Sequence, residues 1–255
     1  MLGLDQRTLN VLLFVPAGMF LVLAVEVVKI VFSIIAAVKA QLLKLGYDEA
    51  SLGVSGMKVI TTIDRVAQSA AVKAVNAEGP KTGTDGLRIG LAAVQPGTGA
   101  IVAMYGGKDY VAEPLNNATQ AIAQAGSTFK PFALYVAAQQ GMSLDWPLPG
   151  TNGIDVNGYV VHNYSNKSFG ESVTLLQATE ESINSAYVTL GAQVGISNVI
   201  NAATSAGIPA DTPGIEQNLT FVLGSASPHP LDVADAYATF AAEGVHAEPY
   251  LIQEI

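Results

Sequence analysis

The 255-residue sequence contains no cysteine, few charged residues and no surplus of basic side chains. Without cysteine, the chain cannot use thiolate catalysis, disulfide bonds or cysteine-ligated zinc. Its formal net charge of −9 would repel the phosphates of a nucleic acid, so no nucleic-acid partner is expected. The three histidines stand in separate loop-like stretches without a metal-binding motif. We therefore expect neither a metal site nor a cofactor.

Hydrophobic residues make up 50% of the sequence, which requires either a membrane segment or a large buried core. Residues 9–25 are almost entirely apolar, and a second apolar stretch follows at residues 30–38. Because about 20 apolar residues are enough to cross a bilayer, we predict a membrane-anchor helix within residues 1–38. A linker over residues 39–56 would follow it. The lysines and arginines on the two sides do not set its orientation.

Residues 57–255 combine strand-like and helix-like patterns, which predicts an α+β fold. Runs rich in β-branched and apolar residues predict strands at residues 57–63, 87–94 and 100–105. The Pro-Gly-Thr-Gly turn between the last two predicts an antiparallel hairpin. Apolar spacing and terminal glycines predict helices at residues 65–77, 197–206 and 230–243, and one or two helices at residues 174–194.

The stretch Gly126-Ser127-Thr128-Phe129-Lys130-Pro131-Phe132 brings a hydroxyl and an amine to the start of an apolar helix. Pro131 requires the helix to begin close to Ser127, and Lys130 lies one turn along the same face. A helix N-terminus favours developing negative charge. Burial beside apolar neighbours would lower the pKa of Lys130, so that its neutral, proton-accepting form is populated. The alternative is a capping serine with a surface lysine, since S-x-x-K is short and common.

A second motif, Ser182-Ile183-Asn184, begins 55 residues after Ser127 (182 − 127). S-x-x-K followed by an S-x-N motif is the order found in penicillin-binding proteins and class A β-lactamases. From about Lys39 to Ile255, the chain resembles the transpeptidase domain of bifunctional, class A penicillin-binding proteins. Further stretches that carry the resemblance, in family order, are residues 59–64, 118–121, 221–224 and 236–241. Asn163-Tyr164 also resembles a family position near the site.

The resemblance implies a penicillin-binding-protein/β-lactamase-like fold in residues 57–255, with an antiparallel sheet plus a helical lobe. It implies acyl transfer from D-Ala-D-Ala-ended peptidoglycan stem peptides, with Ser127 as nucleophile and Lys130 as its base. Ser182 would relay a proton to the leaving group, and Asn184 would hold the substrate amide. β-Lactam antibiotics would acylate Ser127 as substrate mimics. The catalytic part would lie outside the cell membrane, behind a single anchor helix.

The sequence departs from the family pattern in three places. Class A relatives carry a glycosyltransferase domain between anchor and transpeptidase, for which this sequence has no room. Ile183 replaces the aspartate of S-D-N. The family's K-T-G strand is expected beyond residues 244–252, and this sequence ends before it, at Ile255. Lys81-Thr82-Gly83 precedes Ser127 and is flanked by turn residues, so we interpret it as an exposed loop.

Two other functions are compatible with these residues. The first is a catalytically impaired, truncated and membrane-anchored relative that acts as a binding or interaction protein. The second is a β-lactamase, which would need a base for a deacylating water, and no residue of this sequence is assigned to that role.

Overall fold

The computed structural model describes residues 25–48 and 57–255, which form two compact units. The sheet unit contains the described residues up to Ile122 together with His229–Ile255, and the helical unit is Ala123–Pro228. The helices are α1 (Val25–Lys44), α2 (Arg65–Glu78), α3 (Lys130–Gln139), α4 (Leu175–Glu180), α5 (Asn184–Val194), α6 (Ile196–Ser205) and α7 (Pro230–Ala241). The strands are β1 (Ile60–Thr61), β2 (Leu91–Val94), β3 (Ile101–Tyr105), β4 (Pro147–Leu148), β5 (Ile154–Val156), β6 (Tyr159–Val161), β7 (Val173–Thr174) and β8 (Ile252–Glu254).

The sheet unit is built from antiparallel pairs, as the sequence predicts. Strands β2 and β3 form the expected hairpin, with Leu91 opposite Tyr105. Strand β1 pairs with β8 and is only two residues long, shorter than the run predicted at residues 57–63. The Thr62 hydroxyl donates to the Ile101 carbonyl at 2.8 Å, and the Ile101 amide donates to the Tyr250 carbonyl at 2.9 Å. The first bond ties the residue after β1 to the hairpin, and the second ties the segment before β8 to it.

Helix α1 contributes one apolar face to the core of the sheet unit. Ile34, Val38 and Leu42 are spaced four residues apart, so they share a face, and all three are buried. Their face packs in one cluster with Val59, Ile63, Ile101, Met104, Ala118 and Leu251. The Asn116 side-chain amide donates to the Ser33 carbonyl at 3.2 Å and adds a polar contact to this helix. Helix α1 therefore crosses the boundary predicted between anchor and linker.

Most of the predicted membrane anchor lies in residues 1–24, outside the described residues. Within residues 25–48 and 57–255, no helix combines the length and the apolar composition needed to cross a bilayer. The anchor over residues 1–38 and the linker over residues 39–56 stay predictions.

The helical unit packs α3, α5 and α6 around buried aromatic and aliphatic side chains. The Phe129 ring lies edge-on to Phe132 and Phe221, with ring centroids 5.2 and 5.4 Å apart, in the geometry that aromatic pairs favour. The segment predicted as one or two helices at residues 174–194 forms two, α4 and α5. The break between them contains Ser182, and it places this residue at a corner rather than inside a helix.

We predict that truncating the buried face of α1 destabilises the sheet unit. Leu42→Ala removes a side chain that is 1% exposed, so it should lower the free energy of unfolding by about 2–5 kcal/mol. Leu43→Ala, one residue along the same helix, removes a side chain that is 41% exposed and should cost less than about 1 kcal/mol. Urea unfolding of both variants measures the difference. Equal effects would show that α1 does not pack into this core.

Candidate active site

Ser127 lies in a single 3₁₀ turn, Gly126–Phe129, that runs directly into α3. Phe129 is fully buried and anchors the turn in the aromatic cluster, while the Ser127 side chain stays exposed. Lys130 is the first residue of α3, and its backbone N–H donates to the Ser127 carbonyl. Its side chain is 4% exposed. The arrangement therefore presents an accessible hydroxyl beside a buried amine, as the S-x-x-K spacing predicts.

The backbone just before Ser127 is held by Gly224. The Gly126 amide donates to the Gly224 carbonyl at 3.1 Å, and the Ala125 amide donates to the Ala226 carbonyl at 2.9 Å. Gly224 has a φ of +74°, and a Cβ there would lie 2.1 Å from the Gly126 carbonyl oxygen. Only glycine allows this approach, so residue 224 helps to fix where the Ser127 hydroxyl stands.

Ser182 ends helix α4 in an unusual conformation. Its amide donates to the Thr179 carbonyl at 3.2 Å, and the Ile183 amide donates to the Ala178 carbonyl at 2.9 Å. These two bonds form a Schellman C-cap, whose left-handed position is usually glycine. Ser182 occupies that position with a φ of 51°, which costs about 1 kcal/mol relative to ordinary backbone. The corner holds its hydroxyl and its carbonyl in fixed positions.

Within the described residues, the Lys130 ammonium nitrogen contacts four oxygen atoms. Nζ lies 3.1 Å from Ser127 Oγ, 2.9 Å from Ser182 Oγ, 2.7 Å from the Ser182 carbonyl oxygen and 2.8 Å from Asn184 Oδ1. It also lies 5.5 Å from the centre of the Tyr187 ring. The structure thus brings together all four residues that were predicted from the two motifs.

The surroundings of Lys130 favour its neutral form more than water does. Burial lowers the pKa of Lys130 from its ordinary value of 10.5 to about 8. The four oxygen partners carry no formal negative charge that would offset this desolvation. Burial also raises the pKa of Tyr187, whose hydroxyl lies 2.7 Å from Thr179 Oγ1, so the nearby ring stays uncharged. A lysine with a pKa near neutrality can accept a proton at physiological pH.

Asn184 is oriented by hydrogen bonds on both ends of its amide. Its Oδ1 accepts from Lys130, and its Nδ2 donates to the His162 carbonyl at 3.0 Å. An amide nitrogen has two N–H donors, so one remains for another acceptor. The role of Asn184 in holding a substrate amide stays a prediction.

Neither Lys81-Thr82-Gly83 nor Glu181 is among the groups that contact the Lys130 nitrogen in the described residues. Lys81-Thr82-Gly83 forms an exposed loop after α2 within the sheet unit, which confirms the loop interpretation. Glu181 is exposed and forms an ion pair with Lys167 at 3.6 Å. In the part of the chain that the structure describes, no three histidine or carboxylate side chains are grouped to hold a metal ion.

Asn163 is a site residue whose contacts the sequence does not reveal. The resemblance places Asn163-Tyr164 near the site but assigns it no task. In the structure, Asn163 Oδ1 accepts from the Ser185 amide at 2.9 Å, at the start of α5. This contact joins segments 22 residues apart, so no local pattern could predict it.

A sequence model described as the penicillin binding protein transpeptidase domain matches residues 89–255. The chain belongs to this family. The resemblance inferred from the two motifs is therefore confirmed, and the transpeptidase-domain fold with it.

Relatives of this transpeptidase-family chain cover most of it. Penicillin-binding protein 1A of Mycolicibacterium smegmatis is 34% identical over 221 residues, which are 82% of this chain and 27% of the relative. Penicillin-binding protein 2D of Bacillus subtilis is 31% identical over 221 residues, 83% of this chain and 31% of the relative. The chain thus spans about three tenths of the length of these relatives.

A solved structure of the same family supports the fold. The structure of PonA1 from Mycobacterium tuberculosis in complex with penicillin V matches 87% of this chain and 61% of that chain. The TM-score is 0.76 and the sequence identity is 32%.

We predict that Ser182→Gly is more stable than Ser182→Ala in this transpeptidase-family chain. Both variants lose the hydroxyl, but only glycine relieves the left-handed backbone, so the difference should be about 1 kcal/mol in the free energy of unfolding. At exposed Gln177, inside α4, the same pair of substitutions should give the opposite order, because alanine favours a helix. Urea unfolding measures these free energies. If the Ser182→Ala variant is as stable as the Ser182→Gly variant, residue 182 does not have a left-handed backbone conformation.

Proposed function

We propose that the chain is the acyl-transfer part of a penicillin-binding serine D,D-transpeptidase that cross-links peptidoglycan stem peptides. The observation that carries this proposal is the buried Lys130 amine, whose nitrogen lies 3.1 Å from Ser127 Oγ. Family membership supports the reaction class, and a pKa of about 8 makes the lysine a usable base.

The hydrogen-bond partners of Lys130 direct its lone pair toward a hydroxyl. A neutral lysine has two N–H donors and one lone pair. The Ser182 carbonyl and Asn184 Oδ1 can only accept, so they take the two N–H groups. The lone pair is then left for a hydroxyl, that of Ser127 or of Ser182. This arrangement favours removal of the Ser127 proton without any carboxylate.

The proposed reaction uses this arrangement. Lys130 takes the Ser127 proton while Oγ attacks the carbonyl carbon between the two D-alanines of one stem peptide. The C–N bond breaks, and the terminal D-alanine leaves as an amine that receives the proton by way of Ser182. The amine of a second stem peptide then attacks the carbonyl carbon of the Ser127 ester and the C–Oγ bond breaks. One proton of that amine passes by way of Lys130 to Ser127 Oγ, which restores the hydroxyl. The remaining N–H of Asn184 would hold the substrate amide during both steps.

β-Lactams are proposed to react at the same hydroxyl. Ser127 would open the lactam ring by attack on its carbonyl carbon, and the ring nitrogen would receive the proton. The solved complex of PonA1 with penicillin V, a protein that is 32% identical to this chain, supports this partner.

We also propose that the chain is attached to the cell membrane, with its catalytic part outside. The apolar run at residues 9–25 supports an anchor there. Deletion of residues 1–24 should release the chain from sedimented membranes, and release of the undeleted chain under the same conditions would contradict the anchor.

We predict that a fluorescent penicillin labels the chain on Ser127. Ser127→Ala should abolish labelling, because the proposal makes the exposed Ser127 hydroxyl, 3.1 Å from Lys130 Nζ, the nucleophile and gives the Ser182 hydroxyl only a proton-relay role. Thr128→Ala removes the neighbouring exposed hydroxyl and should leave the labelled residue unchanged. Peptide mapping by mass spectrometry identifies the site. Label on another residue contradicts the proposal, and a folded chain that takes no label supports the alternative of a binding protein.

A further inference from the structure

Helix α5 begins without a cap of its own. The residue at its N-cap position is Ile183, which has no side-chain acceptor and is buried in the core. The first amides of a helix lack intrahelical partners, and the N-cap side chain normally accepts from the second or third. Here Asn163 supplies that acceptor from outside the helix, since its Oδ1 lies 2.9 Å from the Ser185 nitrogen. Asn163 thereby fixes where α5 starts.

Asn163 is itself rigidly held. Its side chain is 4% exposed, and its two Nδ2 donors bond to the Gly150 carbonyl at 3.1 Å and the Lys167 carbonyl at 3.0 Å. Its backbone amide donates to Asn152 Oδ1 at 2.8 Å. Every polar atom of the side chain is therefore used, and the residue links three stretches of the helical unit.

The neighbouring backbone carries this rigidity to the site. The His162 carbonyl, one residue before Asn163, accepts from Asn184 Nδ2 at 3.0 Å. Asn184 is also the first residue of α5, directly before the capped Ser185. Asn163 therefore fixes the start of α5, which carries Asn184, and also the His162 carbonyl, which binds Asn184 Nδ2. Asn184 Oδ1 is left facing Lys130 Nζ at 2.8 Å.

We propose that Asn163 is a positioning residue of the acyl-transfer site. It holds Asn184 so that the amide oxygen, not the amide nitrogen, meets the Lys130 amine. With the amide turned over, Nδ2 would donate to the lysine lone pair, and that lone pair would no longer be available to the Ser127 hydroxyl. The catalytic part of this inference rests on the proposed function, whereas the capping of α5 does not.

The kinetic test is the second-order rate of Ser127 acylation by a fluorescent penicillin. Asn163→Ala should lower this rate at least about tenfold, because small displacements of a positioned group are costly. Asn201→Ala, an exposed asparagine on α6, should stay within about twofold of the unaltered chain. In an Asn184→Ala background, Asn163→Ala should add less than about threefold, because the two residues act through one contact. An unaltered rate in Asn163→Ala, or fully multiplicative effects in the double variant, would overturn the proposal.

A second variant covers the case in which Asn163→Ala does not fold. Asn163→Asp keeps the shape and the acceptor for Ser185 but loses both Nδ2 donors, so the rate should again fall about tenfold. Asn166→Asp adds the same charge on the exposed part of the same turn. Its acylation rate should remain within about twofold of that of the unaltered chain. Equal rates in the two aspartate variants would overturn the positioning role.

A third measurement is independent of acylation. Hydrogen exchange of the Ser185 amide, followed by NMR, should be at least about tenfold faster in Asn163→Ala, while the amide of Ala186 should change less. Unchanged exchange at Ser185 overturns the capping role. If the unaltered chain shows no acylation, the proposed function fails, and the exchange result still decides whether Asn163 holds the start of α5.

Discussion

The site depends on burying the amine of one lysine without placing a negatively charged group beside it. Lys130 is buried among neutral oxygens, so its ammonium form is destabilised and its pKa falls to about 8. Two of those oxygens can only accept, and they occupy the N–H groups of the neutral amine. A nearby carboxylate would reverse this balance by stabilising the ammonium form. Neutral partners are therefore as important to the proposed chemistry as their distances.

Backbone features that are individually unfavourable collect around this lysine. Ser182 adopts a left-handed conformation where glycine is usual, and Ile183 begins a helix without a capping side chain. Residue 224 must be glycine, because the backbone before Ser127 passes too close to leave room for a Cβ. Such local costs persist where the surrounding structure supports them, and they are common at functional sites. Here each one fixes a group that contacts Ser127 or Lys130.

The sequence predicts these features to different extents. The pairing of Ser127 with Lys130 follows from spacing on one helical turn, which is a local property. The inclusion of Ser182 and Asn184 came from resemblance, since no spacing rule joins residues 55 apart. The cap from Asn163 and the left-handed Ser182 arise from tertiary contacts, so no propensity reveals them. Apolar composition alone also could not show that Ile34 and Val38 pack into the core of the sheet unit.

The proposed chemistry requires Lys130 to lose its proton near physiological pH. NMR titration of the chain with ¹³C-labelled lysine side chains tests it directly, with Lys130→Arg used to assign the signal. We expect a midpoint of about 8 for Lys130, below that of an ordinary exposed lysine, because burial penalises its charged form. As pH rises through this midpoint, the neutral amine becomes the main form and the base is available. A midpoint near that of an ordinary exposed lysine, about 10.4, would show that Lys130 keeps its proton and is not the base.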